Sequence, residues 1–456
     1  MGGWIEVLAL RRVLLRCLVS FVIVTMMASA VYAQPPSLLF KDTVPVEDIA
    51  VSRYGQYAVS VGANEFRFYD RTHQMWFWQA PGLETLYSVA ISADGNSVVA
   101  GGASHVFFWK NAISRSSDTS RTWESEPYGR INERCLDISA DGDYVLAGSQ
   151  GSGSYPTVLY WAGASSKSGV DVEYTWAYPS DGGGALSSAV DLSDNGDYAV
   201  VGFSGEEKGP NVGYWKNART RLGSGQTPDW LSTEAQDVTD VAVSRDGNFV
   251  AASGWLDGGA VYYWAGATGL TGDPPTSWNF PTVEFLSVDM SCDGDSVVAG
   301  AESDLVYFWS GARTLTGKPQ TPSWTYPTAG DVKEVAINDA GTYMAAATAV
   351  FDDSGRNVYF LDNAGGMKWS SPYQLDDAVT SMSICCDGGT LAVGTPMSSA
   401  YLLDTGFSDP CCGAAPVGGA LTAVDRLAVL TPYLALLGVI AAVTVAVAIS
   451  RKKPKN

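Results

Sequence analysis

Residues 241–254 read Val-Ala-Val-Ser-Arg-Asp-Gly-Asn-Phe-Val-Ala-Ala-Ser-Gly. Two short apolar runs flank Asp246-Gly247, a dipeptide suited to the left-handed backbone of a tight hairpin. The stretch therefore predicts two antiparallel strands. The same phrase recurs from Ile49, Val89, Leu136, Val190, Val288, Val335 and Met382, with turn glycines at Gly55, Gly95, Gly142, Gly196, Gly294, Gly341 and Gly388. Successive copies start 40 to 54 residues apart, and most gaps are 47. A repeat of that length built from strands marks the blades of a β-propeller.

Working outward from 241–254, residues 260–266 (AVYYWAG) are rich in β-branched and aromatic side chains and predict a third strand. A loop with Gly269, Gly272, Pro274 and Pro275 follows, and SWNFP (277–281) predicts a fourth. Named A to D from the axis outward, these strands make one blade. Tryptophan recurs in strand C (Trp109, Trp161, Trp215, Trp264, Trp309) and in strand D (Trp76, Trp123, Trp176, Trp230, Trp278, Trp324, Trp369). One large aromatic per strand per repeat is expected to pack between neighbouring blades.

The eighth copy ends after AYLLDTG (400–406) with no strand D, while SLLFKDT (37–43) precedes the first copy with no blade of its own. Pairing the two closes the ring and leaves no open edge. The expected fold is all-β: an eight-bladed propeller of four-stranded antiparallel blades, with seven blades as the alternative if the first or eighth copy lies outside the ring. The pattern resembles the broad group of WD40-like and quinoprotein-like (PQQ-type) propeller repeats. It does so through S-x-D-G after strand A and through a Gly or Thr-Gly loop before the strand D tryptophan, as in 268–278 and 313–324. The Gly-His and Trp-Asp signatures of WD40 repeats are absent. The resemblance covers residues 37–406 and implies the fold; the group includes enzymes, scaffolds and binding modules.

At the ends, Arg11, Arg12 and Arg16 lead into an apolar run, and Val-Tyr-Ala (31–33) offers small residues for cleavage, so 1–33 reads as a signal peptide. Residues 427–449 carry no charge and are long enough for one transmembrane helix, and the basic tail at 450–456 places the C-terminus in the cytoplasm. The expected order is signal peptide 1–33, propeller ectodomain 34–406, stalk 407–426, membrane helix 427–449 and tail 450–456. The chain would be a single-pass cell-membrane protein, its lipid partner met by the C-terminal helix and its propeller extracellular.

The formal net charge is −20, and the part between signal and tail is more acidic still. This disfavours nucleic acid as a partner. In a propeller the D–A and B–C loops share one face. On it fall Glu206, Glu207, Asp257, Glu302, Asp304, Asp352 and Asp353, an acidic surface expected to face outward and bind. The C–D loops of the other face carry Lys110, Arg115, Arg121, Lys167, Lys216, Arg219, Arg221, Arg313, Lys318 and Lys368, a basic surface expected to look toward the membrane.

Cys385-Cys386 lies at a turn of the eighth repeat and Cys411-Cys412 opens the stalk. A disulfide between the pairs would close a loop of roughly 25 residues, worth about 3 kcal/mol on the chain-entropy model. Adjacent-cysteine disulfides occur against the cofactor in some PQQ dehydrogenases, and Cys385-Cys386 resembles that feature. Cys135 and Cys292 sit in different blades and read as unpaired thiols.

Motifs for chemistry are sparse. His73 and His105 fall in loops, and no nucleophile elbow, phosphate loop, dinucleotide fingerprint or metal-ligand spacing appears. The Asp-Gly turns offer oxygens for calcium, but hairpin chemistry alone asks for the same residues. Asp137, Asp191 and Asp289 share one strand A position and are expected to line the channel in contact with water. The expected function is a monomeric, non-catalytic binding or scaffolding module without a cofactor or metal, meeting an extracellular protein or glycan. The alternative is an exported enzyme, a PQQ-type oxidoreductase or a glycan-acting one.

Overall fold

A computed structural model of the chain describes residues 36–409, apart from 117–119, 151–154, 180–185, 205–210, 256–258, 349–356, 369–372, 376 and 398. Eight sheets form a closed ring in which each strand A lies beside the strand A of the next blade, and the eighth lies beside the first. Blade five shows the plan: Val238–Val243, Phe249–Gly254, Ala260–Ala265 and Trp278–Pro281, antiparallel throughout. The ring closes as expected. Ser37–Asp42 is the outermost strand of the eighth sheet, pairing Ser37 with Asp404 and Asp42 with Ala400. Both terminal copies therefore belong to the ring. Blade seven departs in its fourth position, where isolated bridges Leu361–Met367 and Val358–Tyr373 stand in for a strand. Trp369 and the proposed membrane helix at 427–449 lie outside the described residues, and no described helix is long and apolar enough to cross a membrane.

The tryptophans are wedged between blades. Those of strand C are fully buried, and those of strand D in blades one to five are at most 1% exposed. Each strand D indole stacks on a strand C ring of its own blade, as Trp123 does on Phe108 (5.2 Å, 7°) and Trp230 on Tyr214 (5.0 Å, 9°). It also meets the strand C tryptophan of the next blade, with centroids 5.4 to 6.2 Å apart. Its Nε1–H is satisfied in that next blade. Trp76, Trp123, Trp176, Trp230 and Trp278 donate to the carbonyls of Ala112, Ala164, Ala218, Ala267 and Ala312 at 2.7 to 3.1 Å. Each of those alanines opens a 3-10 turn after a left-handed Asn or Gly, and its own N–H donates to its blade's A–B turn. One indole thus ties together two sheets and a loop.

The hairpin glycines serve the same seam. Gly247 has φ +73°, and a Cβ there would lie 2.1 Å from the ring of Tyr198, the residue just before strand B of the preceding blade. Tyr57, Tyr144, Phe249 and Tyr343 sit in the same way on Gly95, Gly196, Gly294 and Gly388. Strand C tyrosines add a bond to this point: Tyr160 donates to Gly196 O and Tyr263 to Gly294 O, both at 2.6 Å.

Two substitutions probe the seam. Tyr263→Phe keeps the stacked ring but leaves the buried Gly294 carbonyl unpaired, and is expected to cost about 1–2 kcal/mol. Gly247→Ala meets both an unfavourable φ and a ring in the way, and is expected to cost more. Urea unfolding of both variants would check the order, and Gly247→Ala as stable as the native chain would refute the packing.

Candidate functional site

Strand A is the inner edge of every sheet, so its outward N–H groups have no strand to pair with. Side chains of the preceding blade take them. Asp137 Oδ2 accepts Leu192 N (2.9 Å), Asp191 Oδ2 accepts Val243 N (2.5 Å), and Asp289 Oδ2 accepts Ile337 N (2.9 Å). One layer along the axis, Asp48 Oδ2 accepts Val89 N (2.8 Å) and Asp240 Oδ2 accepts Val288 N (3.1 Å). Ser381 and Ser383 accept Ile49 N and Val51 N across the closing seam, each at 3.2 Å. Asp137, Asp191 and Asp289 do line the channel. Each is also a blade-to-blade staple, in place of the simple water contact expected from sequence.

The channel is bridged at two levels by arginine. At the A–B turns, the residues after the turn serine bond in a chain around the axis: Ala93 N to Ala140 O, Ala140 N to Asp194 O, and onward from Arg245 through Cys292, Asp339 and Cys386 to Arg53. Four of these residues carry charge and meet across the opening. Arg53 of blade one pairs with Asp194 (2.5 Å) and Asp339 (2.5 Å), and Arg245 of blade five pairs with the same two carboxylates (2.7 and 2.5 Å). At the D–A side, a β-bulge in Ile131–Ile138 pushes out Arg134, whose φ is +59°. Its guanidinium crosses to blades six and seven, donating to Leu286 O (2.8 Å) and Lys333 O (2.9 Å), pairing with Glu334, and lying 3.6 Å from Asp240. Below the first closure lies a cavity of about 340 Å³ lined by Arg53, Asp137, Asp191, Asp194 and Asp339. A second of about 270 Å³ is lined by Arg134, Asp191, Asp240, Asp289 and Glu334.

Burial sets the ionisation of these acids. It pushes Asp137 up to about 6 and Asp289 up to about 7. Glu334 is pushed up to about 8 by burial, against the pull of Arg134, and Asp339 up to about 6 by burial, against Arg53. Asp191 is held well above the carboxylate range by burial and then by the charge of Asp137, with which it is hydrogen bonded. Two carboxyls this close disfavour ionising together, which is why the second is raised further.

The outward acidic surface is only partly visible. Glu206, Glu207, Asp257, Asp352 and Asp353 lie outside the described residues. Glu302 and Asp304 sit in the B–C turn of blade six. Glu302 N donates to Glu284 O (3.0 Å), and its carboxyl is raised by burial and by Glu284, with Lys333 4.0 Å away. Asp304 has φ +58° and its carbonyl accepts Thr328 N (2.9 Å). The opposite face is not a free basic surface. The acidic residues of the A–B turns lie there too, and loop counting by C–D segments left them out. Arg219 pairs with Asp197 (2.7 Å) and Arg313 with Asp295 (3.0 Å) of these turns, while Lys368 pairs with Asp362 at the end of strand C (2.7 Å) and Lys318 with Glu234 of a D–A loop (2.6 Å). Lys110 and Lys216 reach the next blade's loop, donating to Ser165 O and Leu270 O.

Cys386 is disulfide-bonded, whereas Cys135, Cys292 and Cys385 are free. The partner of Cys386 therefore lies outside the described residues, as do Cys411 and Cys412. A bridge between the adjacent Cys385 and Cys386 is not formed. Cys385 stands where other blades have the turn serine, donating to Asp387 Oδ1 (2.9 Å) and accepting Thr390 N (3.0 Å). The Asp-Gly carboxylates are likewise committed to their turns: Asp94 Oδ1 accepts the Ser92 hydroxyl and Asn96 N, and Asp246 repeats this with Ser244 and Asn248. Among the described residues no group of three or more acids, cysteines or histidines is placed to hold a metal. His105 is half-buried on Glu84 (2.9 Å), and His73 lies in an exposed turn.

Sequence reasoning missed Arg53, Arg245 and Arg134. The first two occupy the same slot as Asp194 and Asp339, two residues before the turn glycine, and that shared register was the available signal. Arg134 is displaced by a bulge that no local pattern announces.

No family model matches the chain, and no curated protein matches it. In structure it is similar to the C-terminal WD40 domain of Sif2, with 14% identity and a TM-score of 0.59 over 81% of this chain and 98% of that domain. It is also similar to the computationally designed protein Ika8, with 14% identity and a TM-score of 0.58 over 80% and 98%. The WD40-like propeller fold is thus shown.

The channel acids make a distinctive pH prediction. Acids with folded values raised to about 6 to 8 bind protons more tightly folded than unfolded, where they titrate near 4. Their contribution is full below about pH 4 and is lost as the pH climbs to about 8. Thermal midpoints should therefore fall between pH 5 and pH 8. Asp289→Asn, which leaves one of the two amides it serves facing an NH₂ group, should be less stable at pH 5 but show a shallower slope. A flat or rising midpoint in the native chain would contradict these ionisations.

Proposed function

We propose that this chain is a non-catalytic binding or scaffolding module that works through the face formed by its D–A and B–C loops. The observation that carries this reading is the commitment of the channel. The channel's arginines are bonded to carboxylates and backbone carbonyls, and its aspartates to the amides of neighbouring blades. An oxidoreductase or glycan-acting propeller would need such groups free to meet a substrate. The loops of the D–A and B–C face are instead long, rich in Gly, Ser and acids, and spread over several blades, which suits recognition of a protein or glycan. The signal-like segment 1–33 and the apolar stretch 427–449 support a single-pass protein of the cell membrane, with the propeller outside, a stalk at 407–426 and the basic tail in the cytoplasm. Sequence alone supports this placement.

The test uses the full-length chain in native membranes. Protease added to intact cells should reach the ectodomain but not an epitope at residue 456. Cross-linking through a photoreactive group at position 303 should capture a partner, and Glu302→Lys with Asp304→Lys should reduce capture severalfold without moving the thermal midpoint. A propeller protected from external protease would overturn the orientation. Capture indifferent to charge reversal, or cofactor-dependent absorbance appearing with PQQ and calcium, would overturn the binding reading.

A further inference from the structure

The outer rim carries a repeated device that stops one blade short. In blades two to five, the outermost strand is covered along its outer edge by a segment of the next blade's C–D loop, running parallel to it. Gly169 pairs with Trp123, Gly223 with Trp176, Gly272 with Trp230 and Gly317 with Trp278. A glycine thus faces the strand D tryptophan every time, with φ of +101°, +82°, +70° and +139°, values that disfavour any side chain. In blade five the outward amide of Asn279 donates to Gly317 O (3.4 Å), and Gln320 N donates to Asn279 O (2.7 Å).

Among the described residues, blade six lacks this cover. In blade seven Leu361 replaces the strand C tryptophan, and the chain doubles back at once, Asp362 N donating to Gly366 O (2.9 Å) around Gly365. Trp324–Pro327 is consequently the last strand of its sheet. Trp324 and Tyr326 are half-buried, while Thr325 and Pro327 are exposed. Thr325 holds the place that Asn279 holds in blade five, and no described segment lies on it. The sequences Trp-Asn-Phe-Pro and Trp-Thr-Tyr-Pro match closely, so nothing in the strand itself forbids a cover. Blade one's edge supports no such argument, because residues 117–119 of the loop facing it lie outside the described residues.

We propose that the outer edge of blade six at Thr325 is a docking edge for an extended, glycine-containing segment of a partner protein, which adds as a parallel strand with its glycine opposite Trp324. The occupant's chemistry is read from the four segments that fill this place elsewhere on the ring. Each runs parallel to the edge with a left-handed glycine paired through its backbone with the strand D tryptophan, and two read Leu-Thr-Gly-x-Pro (Leu270 to Pro274 and Leu315 to Pro319). Main-chain bonds to Thr325 would supply affinity and the glycine would supply selectivity. The proposal is independent of the acidic face.

The probe is a fluorescent peptide of residues 312–322, ARTLTGKPQTP, titrated against the full-length chain in detergent. Saturable binding is expected. Thr325→Pro, which removes an outward N–H that the blade's own ladder does not use, should weaken binding at least tenfold at an unchanged thermal midpoint. A peptide carrying Gly317→Val should fail to bind. In a second variant, blade seven's residues 363–366 are replaced by the blade six loop 311–323. Filling the edge from within should abolish peptide binding and slow hydrogen exchange at the Thr325 amide. The proposal is overturned if no saturable binding appears, or if binding ignores Thr325→Pro or the grafted loop. A concentration-dependent dimer that Thr325→Pro abolishes would assign the edge to a second copy of this chain and also overturn it.

Discussion

The strand D indole, pinned between its own sheet and the next, is the interaction on which this ring depends. A four-stranded sheet exposes two faces, and alone it cannot bury either. Each tryptophan covers part of two sheets, and its single polar group is satisfied by a carbonyl of the neighbour, so its burial leaves no unpaired donor. For the indoles of blades one to five the acceptor is the alanine of a turn whose preceding residue is left-handed, which explains why Asn or Gly stands there and why the next side chain must be small. Because every such bond crosses a blade boundary, the blades stabilise one another in sequence. The ring then needs Ser37–Asp42 beside Ala400–Asp404 to leave no boundary open.

The axis obeys a different constraint. Strand A cannot pair its inner edge with another strand, because the ring is too narrow there for one and too wide for the edges to meet. Aspartate and serine reach the next blade's amides instead. The cost is several carboxyls in one confined channel, and the raised ionisation of Asp137, Asp191, Asp289 and Glu334 is the form that cost takes. Arg134, Arg53 and Arg245 offset part of it. The blades with Ala50, Ala90, Ala242 and Ala336 at the stapling position contribute no charge there, which limits the crowding.

Most of the ring was legible in the sequence because its cause is local and repeated. The Asp-Gly hairpins, the alternation around them and the two tryptophan slots each follow from a few adjacent residues, and the missing strand of the eighth repeat was implied by the spare strand before the first. The channel was legible only in part. Asp137, Asp191 and Asp289 could be placed by register, but their partners are backbone amides of another blade, and no side-chain pattern reports those. The adjacent cysteines divide between two roles that their sequence does not separate: Cys386 is disulfide-bonded, while Cys385 takes the turn slot that serine fills in six blades. The basic face misled because its bases pair with acids of other segments: Asp197 and Asp295 of the A–B turns, Asp362 at the end of strand C and Glu234 of a D–A loop. The Trp-x-Asn/Gly-Ala turn, present in blades two to six, was in plain view and would have located both the indole acceptors and the segments that follow them.

Near-identical blades need not present identical surfaces, and the rim shows how the difference arises. From Trp109 to Trp309 the C–D loop keeps one length class and one launching turn, and from blade three onward its continuation covers the edge of the blade before it. A single change at Leu361 removes the strand C tryptophan, and the shortened turn at 363–366 no longer reaches across the seam. The packing consequence is modest, since Trp324 still donates to Asn363 O (2.9 Å). The surface consequence is larger, because among the described residues one edge out of five similar ones keeps its hydrogen-bonding groups uncovered. Propellers manage their edges by closure, and an edge left bare inside an otherwise covered run is a local feature of blades six and seven, set by their loop and not by the repeat. Specific recognition on a symmetric ring has to come from such departures, since whatever all eight blades share cannot distinguish one position on the rim from another.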